Sequence, residues 1–242
     1  MAKTTGLNVR LYCAGYDLSG DANALSSLGY TSELLDVTTL DVSAKKRIIG
    51  SVDSEMSFDA FFDNAASRQH AVWTSNSGKL PTADQNVLIP MGSAVADEFV
   101  GLVAKEGAYS TTRSPGSAIT ANAVFSANGS AVEFGEMLTA HDDTHSSASS
   151  GTVVDSGASS SNGGSGYLQL LSLDSGSVTV NLQEATSSGG SYSNFMTFST
   201  VAAAAAPSAE RLTMEGTVQR YIKVTTTGTF SNAKIVVGFS RS

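Results

Sequence analysis

The sequence predicts a mostly β fold in two units, an N-terminal β-sandwich or barrel with one short helix and a C-terminal β-sandwich. Charged residues make up only 15% of the chain and hydrophobic residues 41%, and small residues fill the difference, which is typical of strands and tight turns. Short runs of alternating apolar and polar residues recur along the chain. A length of 242 residues is enough for two domains of ordinary size.

The N-terminal unit is predicted to span residues 1–141. Alternating runs predict strands at about 7–13, 31–40, 55–62, 86–91, 99–105, 117–126 and 130–138. Between the last two strands, Asn128-Gly129 predicts a hairpin turn. A short helix is predicted between Asp63 and Trp73, with Asp63 or Asn64 as its cap.

A linker at residues 142–151 and a C-terminal unit at 152–242 are predicted next. The segment from 141 to 151 is rich in Ser, Gly and Asp, which offers no core, so we expect it to be flexible and protease-sensitive. Beyond it the strand candidates are 168–173, 178–182, 194–198, 211–214, 218–225 and 233–239. Their spacing of about 10 residues is typical of a β-sandwich, and the alanines at 202–206 are expected to form a loop or one turn.

No enzymatic motif is present in the sequence. It contains no Gly-x-Ser-x-Gly elbow, no phosphate-binding loop and no His-Glu-x2-His, so we predict no catalytic residue and no cofactor. A Ser-His-Asp triad would have to use His70, for which a partly buried packing role in the helix is favoured. Glu133 and Glu136 are three positions apart on a strand, point to opposite faces and are expected to be solvated.

The segment His141-Asp142-Asp143-Thr144-His145 has two imidazoles and two carboxylates, enough in principle to bind a metal ion. Nothing around it fixes a ligand geometry, so we predict a polar linker and no metal site. Cys13, the only cysteine, lies in an alternating run and is expected to pack in the core. The sequence has no secretion signal and no apolar stretch of 18 residues, so we expect no membrane contact and synthesis in the cytoplasm.

The net charge of −8 argues against tight nucleic-acid binding, because that affinity comes largely from cations that neutralise phosphates. The longest basic run is Lys45-Lys46-Arg47, which is expected to be a solvated turn or an interface cluster. The first 141 residues hold 9 Lys and Arg against 15 Asp and Glu, a net of −6, and the remainder 5 against 7, a net of −2.

The chain resembles the major tail (tail-tube) proteins of long-tailed bacteriophages, those of actinobacterial and related phages in particular. In the first unit the resemblance is carried by Ala-Gly-Tyr-Asp-Leu-Ser-Gly-Asp at 14–21, the strand at 58–62, His-Ala-Val at 70–72, Gly-Leu-Val-Ala-Lys at 101–105 and Asn-Gly-Ser-Ala-Val-Glu-Phe-Gly-Glu-Met-Leu-Thr-Ala at 128–140. The second unit, with Val-Thr-Val-Asn-Leu-Gln-Glu-Ala at 178–185 and Val-Gln-Arg-Tyr-Ile-Lys-Val-Thr-Thr-Thr-Gly-Thr-Phe at 218–230, is similar to the β domain appended to some of them.

This resemblance implies a structural, non-enzymatic virion protein. Its first unit would be tail-tube-like and would join with copies of itself into stacked hexameric rings, through which DNA passes only as cargo. The C-terminal unit would face outward, other tail proteins would be partners, and the protein would reside in the virion tail after assembly in the host cytoplasm. The alternative is a capsid decoration or carbohydrate-binding virion surface protein, for which Tyr167, Tyr192 and Tyr221 are candidate sugar-stacking residues.

Glu55 and Asp59 are the candidate lumen charges. In the run 55–62, Met56, Phe58 and Ala60 share one face, and the two acids lie on the other. A negative wall would repel a DNA duplex at distances within a Debye length of about 8–10 Å, so that the duplex does not adhere. An ordinary solvated face is the alternative interpretation of these two residues.

Overall fold

A computed structural model describes residues 9–75, 77–141 and 143–242. It confirms the mostly β fold, with one α-helix of five residues and one 3₁₀ turn, Ala203–Ala205, in these residues. The elements of the first half are β1 (Tyr12–Cys13), β2 (Tyr16–Asp17), β3 (Ala22–Asp36), β4 (Arg47–Phe61), α1 (Gln69–Trp73), β5 (Gln85–Pro90), β6 (Glu98–Thr112), β7 (Thr120–Ala127) and β8 (Glu133–Met137). Those of the second half are β9 (Thr144–His145), β10 (Val154–Asp155), β11 (Gly164–Ser172), β12 (Ser175–Ala185), β13 (Ser193–Thr197), β14 (Val201–Ala202), β15 (Ser208–Met214), β16 (Tyr221–Thr227), β17 (Phe230–Ser231) and β18 (Ala233–Arg241).

The first half is a nearly closed barrel organised around the long strand β6. One edge of β6 pairs with β5, which leads to β1 and β2, and the other edge pairs with β7, which leads to β4 and β3. Alternate residues of these strands point inward, and α1 adds Trp73, which has no exposed surface. The rings of Phe58 and Phe125 lie 6.5 and 6.2 Å from that of Trp73 and fill the interior with it.

The second half is a β-sandwich, as predicted. Strands β11, β15 and β18 form one layer, and the six-stranded sheet of β10, β12, β13, β14, β16 and β17 forms the other. Buried aliphatic side chains from both layers meet between them, Leu170 and Ile235 from the first and Leu182 and Val224 from the second. Each of the six strand candidates of this half overlaps an observed strand, because the period of two was clear in all of them.

The two halves share one twelve-stranded sheet. Strand β18 pairs with β8 on one side and with β11 on the other, so the sheet continues from the barrel into the sandwich. Phe99 packs on Tyr167 across this junction, with ring centroids 5.6 Å apart. Gly238 permits that packing, because a Cβ atom at this position would lie 2.7 Å from the Phe99 ring. Independent folding of each unit stays a prediction.

The predicted helix is shorter than expected. It begins at Gln69 and not near Asp63, whose carboxylate accepts a bond from the Ala65 backbone in a local turn. Ser67 has a φ of 63°, in the left-handed region, and this interrupts the helical path. The helix start is bonded instead by a distant residue, because Asp21 accepts the Gln69 backbone N–H at 3.0 Å.

The predicted hairpin at Asn128-Gly129 is wrong. Strands β7 and β8 do not pair with each other; both pair with the same edge of β6, one after the other. This is possible because β6 has 15 residues, about twice the predicted length. Strand β3 also differs, since it begins at Ala22 and not at residue 31. Of the predicted strand 7–13, residues 7 and 8 lie outside the described residues and only Tyr12–Cys13 is a strand.

The expectation of a flexible segment at 141–151 is corrected by its backbone hydrogen bonds. Strand β9 pairs with β18 through His145 and Ala233. Further on, Thr226 N–H donates to the Ser149 carbonyl at 2.9 Å, and Gly151 N–H donates to Val224 at 2.8 Å. Small polar residues lack a core of their own, but they let this backbone lie against the sandwich. Residue 142 lies outside the described residues.

Candidate assembly surface

The most conspicuous feature outside the core is a projecting hairpin, here called the arm, made of β3, β4 and the connection 37–46. Strand β7 pairs with β4 only from Glu55 to Phe61, so the part of β4 before Glu55 pairs with no strand but β3 among the described residues. From Glu55 to Arg47 the arm extends about 26 Å, at about 3.3 Å per residue. A two-stranded hairpin of this kind is marginally stable in water unless another surface covers it.

The arm exposes large apolar side chains on both faces. Their exposed fractions lie between 41% and 109%, and they are clustered on one hairpin, whereas exposed apolar residues of a monomer are normally scattered singly. These residues are Tyr30, Leu34, Leu35, Val37, Leu40, Ile48, Ile49 and Val52. The base of the same hairpin differs, because there Met56 and Phe58 are buried in the barrel. The arm therefore exposes apolar surface to water, which is unfavourable, unless it contacts a partner.

An acidic row lies along the outer face of β4, formed by Asp53, Glu55 and Asp59. The predicted alternation is confirmed, because Ser54, Met56 and Phe58 are buried, whereas Ser57 is half-buried on the same face as the acids. Glu55 is exposed, and half-buried Asp59 accepts a bond from Asn122 Nδ2 at 2.8 Å. Within the described residues none of the three acids forms an ion pair. Whether Glu55 and Asp59 face a lumen stays a prediction.

The far end of the arm carries the basic run. Lys45 Nζ lies 3.8 Å from Asp36 Oδ2. Hydrogen bonds from Thr38, with a smaller contribution from Lys45, hold the pKa of the Asp36 carboxyl below its usual range. In the part of the chain that is described, Lys46 and Arg47 make no ion pair. The prediction of a solvated or interface cluster is consistent with their exposure.

Glu133 is not the solvated residue that the sequence predicted. Arg211 donates two hydrogen bonds to its carboxylate, at 2.8 and 2.9 Å, Ser165 Oγ donates at 2.8 Å, and the Tyr167 hydroxyl donates as well. Burial raises the pKa of this carboxyl, but the bonds from Arg211, Tyr167 and Ser165 outweigh it and hold the pKa below its usual range. This cluster fastens β8 to β11 and β15. Glu136 has a separate partner, Ser156 Oγ at 2.8 Å.

Two histidines have structural roles, His70 through ring packing and His145 through polar contacts within its own segment. His70 Nδ1 lies 2.9 Å from the Tyr109 hydroxyl, and its ring packs on Phe62, which agrees with the predicted role. His145 is buried between Asp143, 3.3 Å from its Nε2, and the Ser149 hydroxyl at its Nδ1.

This Asp-His-Ser chain was not predicted, because its residues lie in a segment with the composition of a linker; the spacing Asp-x-His-x3-Ser was the available signal. Both ring nitrogens are engaged and the imidazole is buried, so the contacts tie β9 to the turn that follows it. No group of three or more His, Cys, Asp or Glu side chains in the described ranges is placed to hold a metal ion.

The candidate sugar-stacking tyrosines are largely occupied. Tyr167 is fully buried at the junction and is unavailable to a ligand, which corrects the expectation of an exposed ring. One face of Tyr192 is covered by Lys223 Nζ, 4.2 Å from the ring centroid, and Arg220 lies 5.0 Å from that of Tyr221. Cys13 is buried and unpaired, as predicted. No helix in the described residues is long and apolar enough to span a membrane.

Comparisons with known proteins found similar structures at low sequence identity. No protein-family model matches the sequence, and no curated protein matches it. A chain of the virion of a native gene transfer agent particle is 15% identical with a TM-score of 0.40, over 55% of this chain and 98% of that chain. A chain from the tail of an empty particle of that kind, refined with C6 symmetry, is 16% identical with a TM-score of 0.39 over the same shares. The Dit protein of phage SPP1, a hub of the adsorption apparatus, is 10% identical with a TM-score of 0.36, over 96% of this chain and 98% of that chain.

Proposed function

We propose that this chain is a structural, non-enzymatic subunit of a phage-type tail tube, and that copies assemble through the arm into stacked hexameric rings. The observation that carries the proposal is the exposed apolar surface of the arm. The centre of a protein interface is fully buried and apolar, and the clustered leucine, isoleucine, valine and tyrosine side chains of the arm supply such a centre.

The backbone of the arm points to the same partner. Strand β3 has 15 residues and pairs only with β4 within the described residues, so its outer edge carries unused hydrogen-bonding groups. A long apolar edge strand left open invites indiscriminate pairing, which natural proteins prevent by covering the edge. A second copy covers it in a head-to-tail manner, and a head-to-tail contact gives a closed ring or an open stack.

The same proposal assigns roles to the acidic residues of β4 and to the C-terminal sandwich. Asp59 lines the bore, where its charge keeps passing DNA from adhering, and Glu55, the other candidate lumen charge, lies nearer the arm. The C-terminal sandwich faces outward, other tail proteins cap the stack, and the assembled protein belongs to the virion tail after assembly in the host cytoplasm. No cofactor is required for any of these roles.

Substitution of one arm residue tests the proposal. Ile49→Asp places a charge on the exposed arm, 71% exposed at this position, without touching the barrel core. We expect the wild-type chain to form uniform tubes or rings in negative-stain images and fast-sedimenting species in the ultracentrifuge, and the variant to remain a folded monomer. Leu80→Asp, at an exposed leucine outside the arm, is the control that should assemble normally.

A wild-type chain that stays monomeric or trimeric at every concentration would contradict the tube and favour the decoration protein. Assembly of Ile49→Asp at wild-type concentrations would show that the arm is not the contact. Trp73, buried in the barrel, reports through its fluorescence that the monomeric variant is folded.

A further inference from the structure

Two sets of exposed charges of opposite sign lie at the two ends of the arm, and neither set has a charged partner among the described residues. Lys46 and Arg47 lie at the far end, and Asp53 and Glu55 lie where the arm leaves the barrel. Within the described residues none of these four side chains forms an ion pair. Two other charges near the far end are accounted for locally, since Asp36 is beside Lys45 and Asp41 accepts a bond from Thr39. Glu33 of β3 lies beside Gly50, is exposed and also has no ion pair in the described residues.

These two sets cannot meet within one copy. Arg47 and Glu55 are eight positions apart on the same strand, which is about 26 Å in an extended chain. The β3–β4 ladder runs from Ala22 and Ala60 to Asp36 and Arg47, so the arm is paired along its length and does not fold back on its own base. Any pairing of these charges is therefore between copies.

We propose that the basic end of one arm, Lys46 and Arg47, binds the acidic pair Asp53 and Glu55 of the next copy. This inference rests on the proposed tube and specifies its contact. The apolar side chains hold two arms together but do not fix their register, because apolar surfaces in contact can shift along each other. Opposite charges about 26 Å apart along the arm fix the offset between two neighbouring copies, since other offsets leave charges unpaired or bring like charges together.

The contact divides the acidic row into two roles. Glu55 and Asp53 are exposed and accept the neighbouring arm, whereas Asp59 is half-buried, lies about 13 Å further along β4 from Glu55, and remains for the bore. Substitutions at Glu55 and at Asp59 therefore have different consequences, the first for assembly and the second for the surface that DNA meets.

Charge reversal tests the contact through complementation. The tip variant carries Lys46→Glu and Arg47→Glu, and the row variant carries Asp53→Lys and Glu55→Lys. Each brings like charges together, so we expect the concentration needed for assembly to rise about tenfold in each. An equal mixture should assemble near the wild-type concentration, because the acidic end of one variant faces the basic row of the other. The fourfold variant, with both reversals in one chain, should also recover.

Matched controls carry the same charge changes elsewhere on the surface. Lys79→Glu with Arg113→Glu matches the tip variant, and Glu98→Lys with Glu215→Lys matches the row variant; all four residues are exposed. Both controls should assemble like the wild-type chain. The difference between variants and controls should shrink as salt rises, since the Debye length falls to about 3 Å at 1 M.

Three outcomes would overturn the contact if wild-type tubes still form. The mixture could need as high a concentration for assembly as either variant alone, or the arms could hold two copies in a closed dimer that does not grow. The tip variant could also assemble normally and lose only its affinity for DNA. Failure of the wild-type chain to assemble would instead remove the proposed function, so the two failures are distinguishable.

Discussion

Glu106 is a buried carboxyl whose ionisation should weaken the barrel. It lies on β6 beside the bulge at Gly107, its residue is 4% exposed, and neither carboxylate oxygen has a hydrogen-bond partner. Burial raises the pKa of this group from 4.5 to about 8. The folded state therefore binds a proton that the unfolded state releases between these two values, and the free energy of unfolding must fall as pH rises through that range.

The size of the effect follows from the two pKa values. The Glu106 contribution to the free energy of unfolding should fall by about 2–3 kcal/mol between pH 5 and pH 7. Glu106→Gln removes the titrating group and keeps the shape. We expect the free energy of unfolding of the variant to lack this part of the pH dependence. As pH rises, the variant should therefore become more stable relative to the wild-type chain.

Urea unfolding followed by fluorescence measures the prediction, because Trp73 is the only tryptophan and is fully buried in the same barrel. Unfolding is recorded at several pH values for the wild-type chain, for Glu106→Gln and for Glu98→Gln, an exposed carboxyl of the same strand. The exposed variant should keep the wild-type slope. Equal slopes for the wild-type chain and Glu106→Gln would refute the assignment of a proton to this buried group.

Three further predictions concern the junction and the bore. Arg211→Met should lower the free energy of unfolding by roughly 2–4 kcal/mol, because it leaves the Glu133 carboxylate partly buried without its cation. A double variant that also carries Glu133→Gln should recover part of this loss in the same urea assay. Deletion of 152–242 should abolish cooperative unfolding of the remaining chain, because it removes β18 and β11 from the sheet and exposes Phe99; a soluble fragment with a sharp transition would show instead that the first unit folds alone. Asp59→Lys should leave tubes intact. In a filter-binding assay these tubes should retain duplex DNA at low salt and release it at high salt. Tubes that retain no DNA would show that Asp59 does not face the bore.

The sequence was informative where the fold depends on local periodicity. The alternation at 55–62 assigned the buried and exposed faces of β4 correctly, including the outward positions of Glu55 and Asp59. The six strand candidates of the second half were located for the same reason. These features are encoded by neighbouring residues, so one chain suffices to detect them.

Pairing order was beyond the sequence because no local pattern encodes it. Nothing in residues 233–241 indicates that this strand lies between β8 and β11, or that Glu133 would meet Arg211. The arm shows a related difficulty. Leu34 and Leu35 have ordinary strand composition, and their exposure is evident only once the pairing shows that no further strand covers them.

The position of β18 has a consequence for the order in which the chain acquires structure during synthesis. It begins at Ala233, 96 residues after β8 ends at Met137, yet it is an inner strand of the shared sheet. On a ribosome that adds about 5–20 residues per second, β8 emerges roughly 5–20 seconds before the strand that pairs with it. Throughout that interval its edge is open to other chains, and nascent subunits are concentrated wherever many copies are made. The junction is therefore where we expect misassembly to begin.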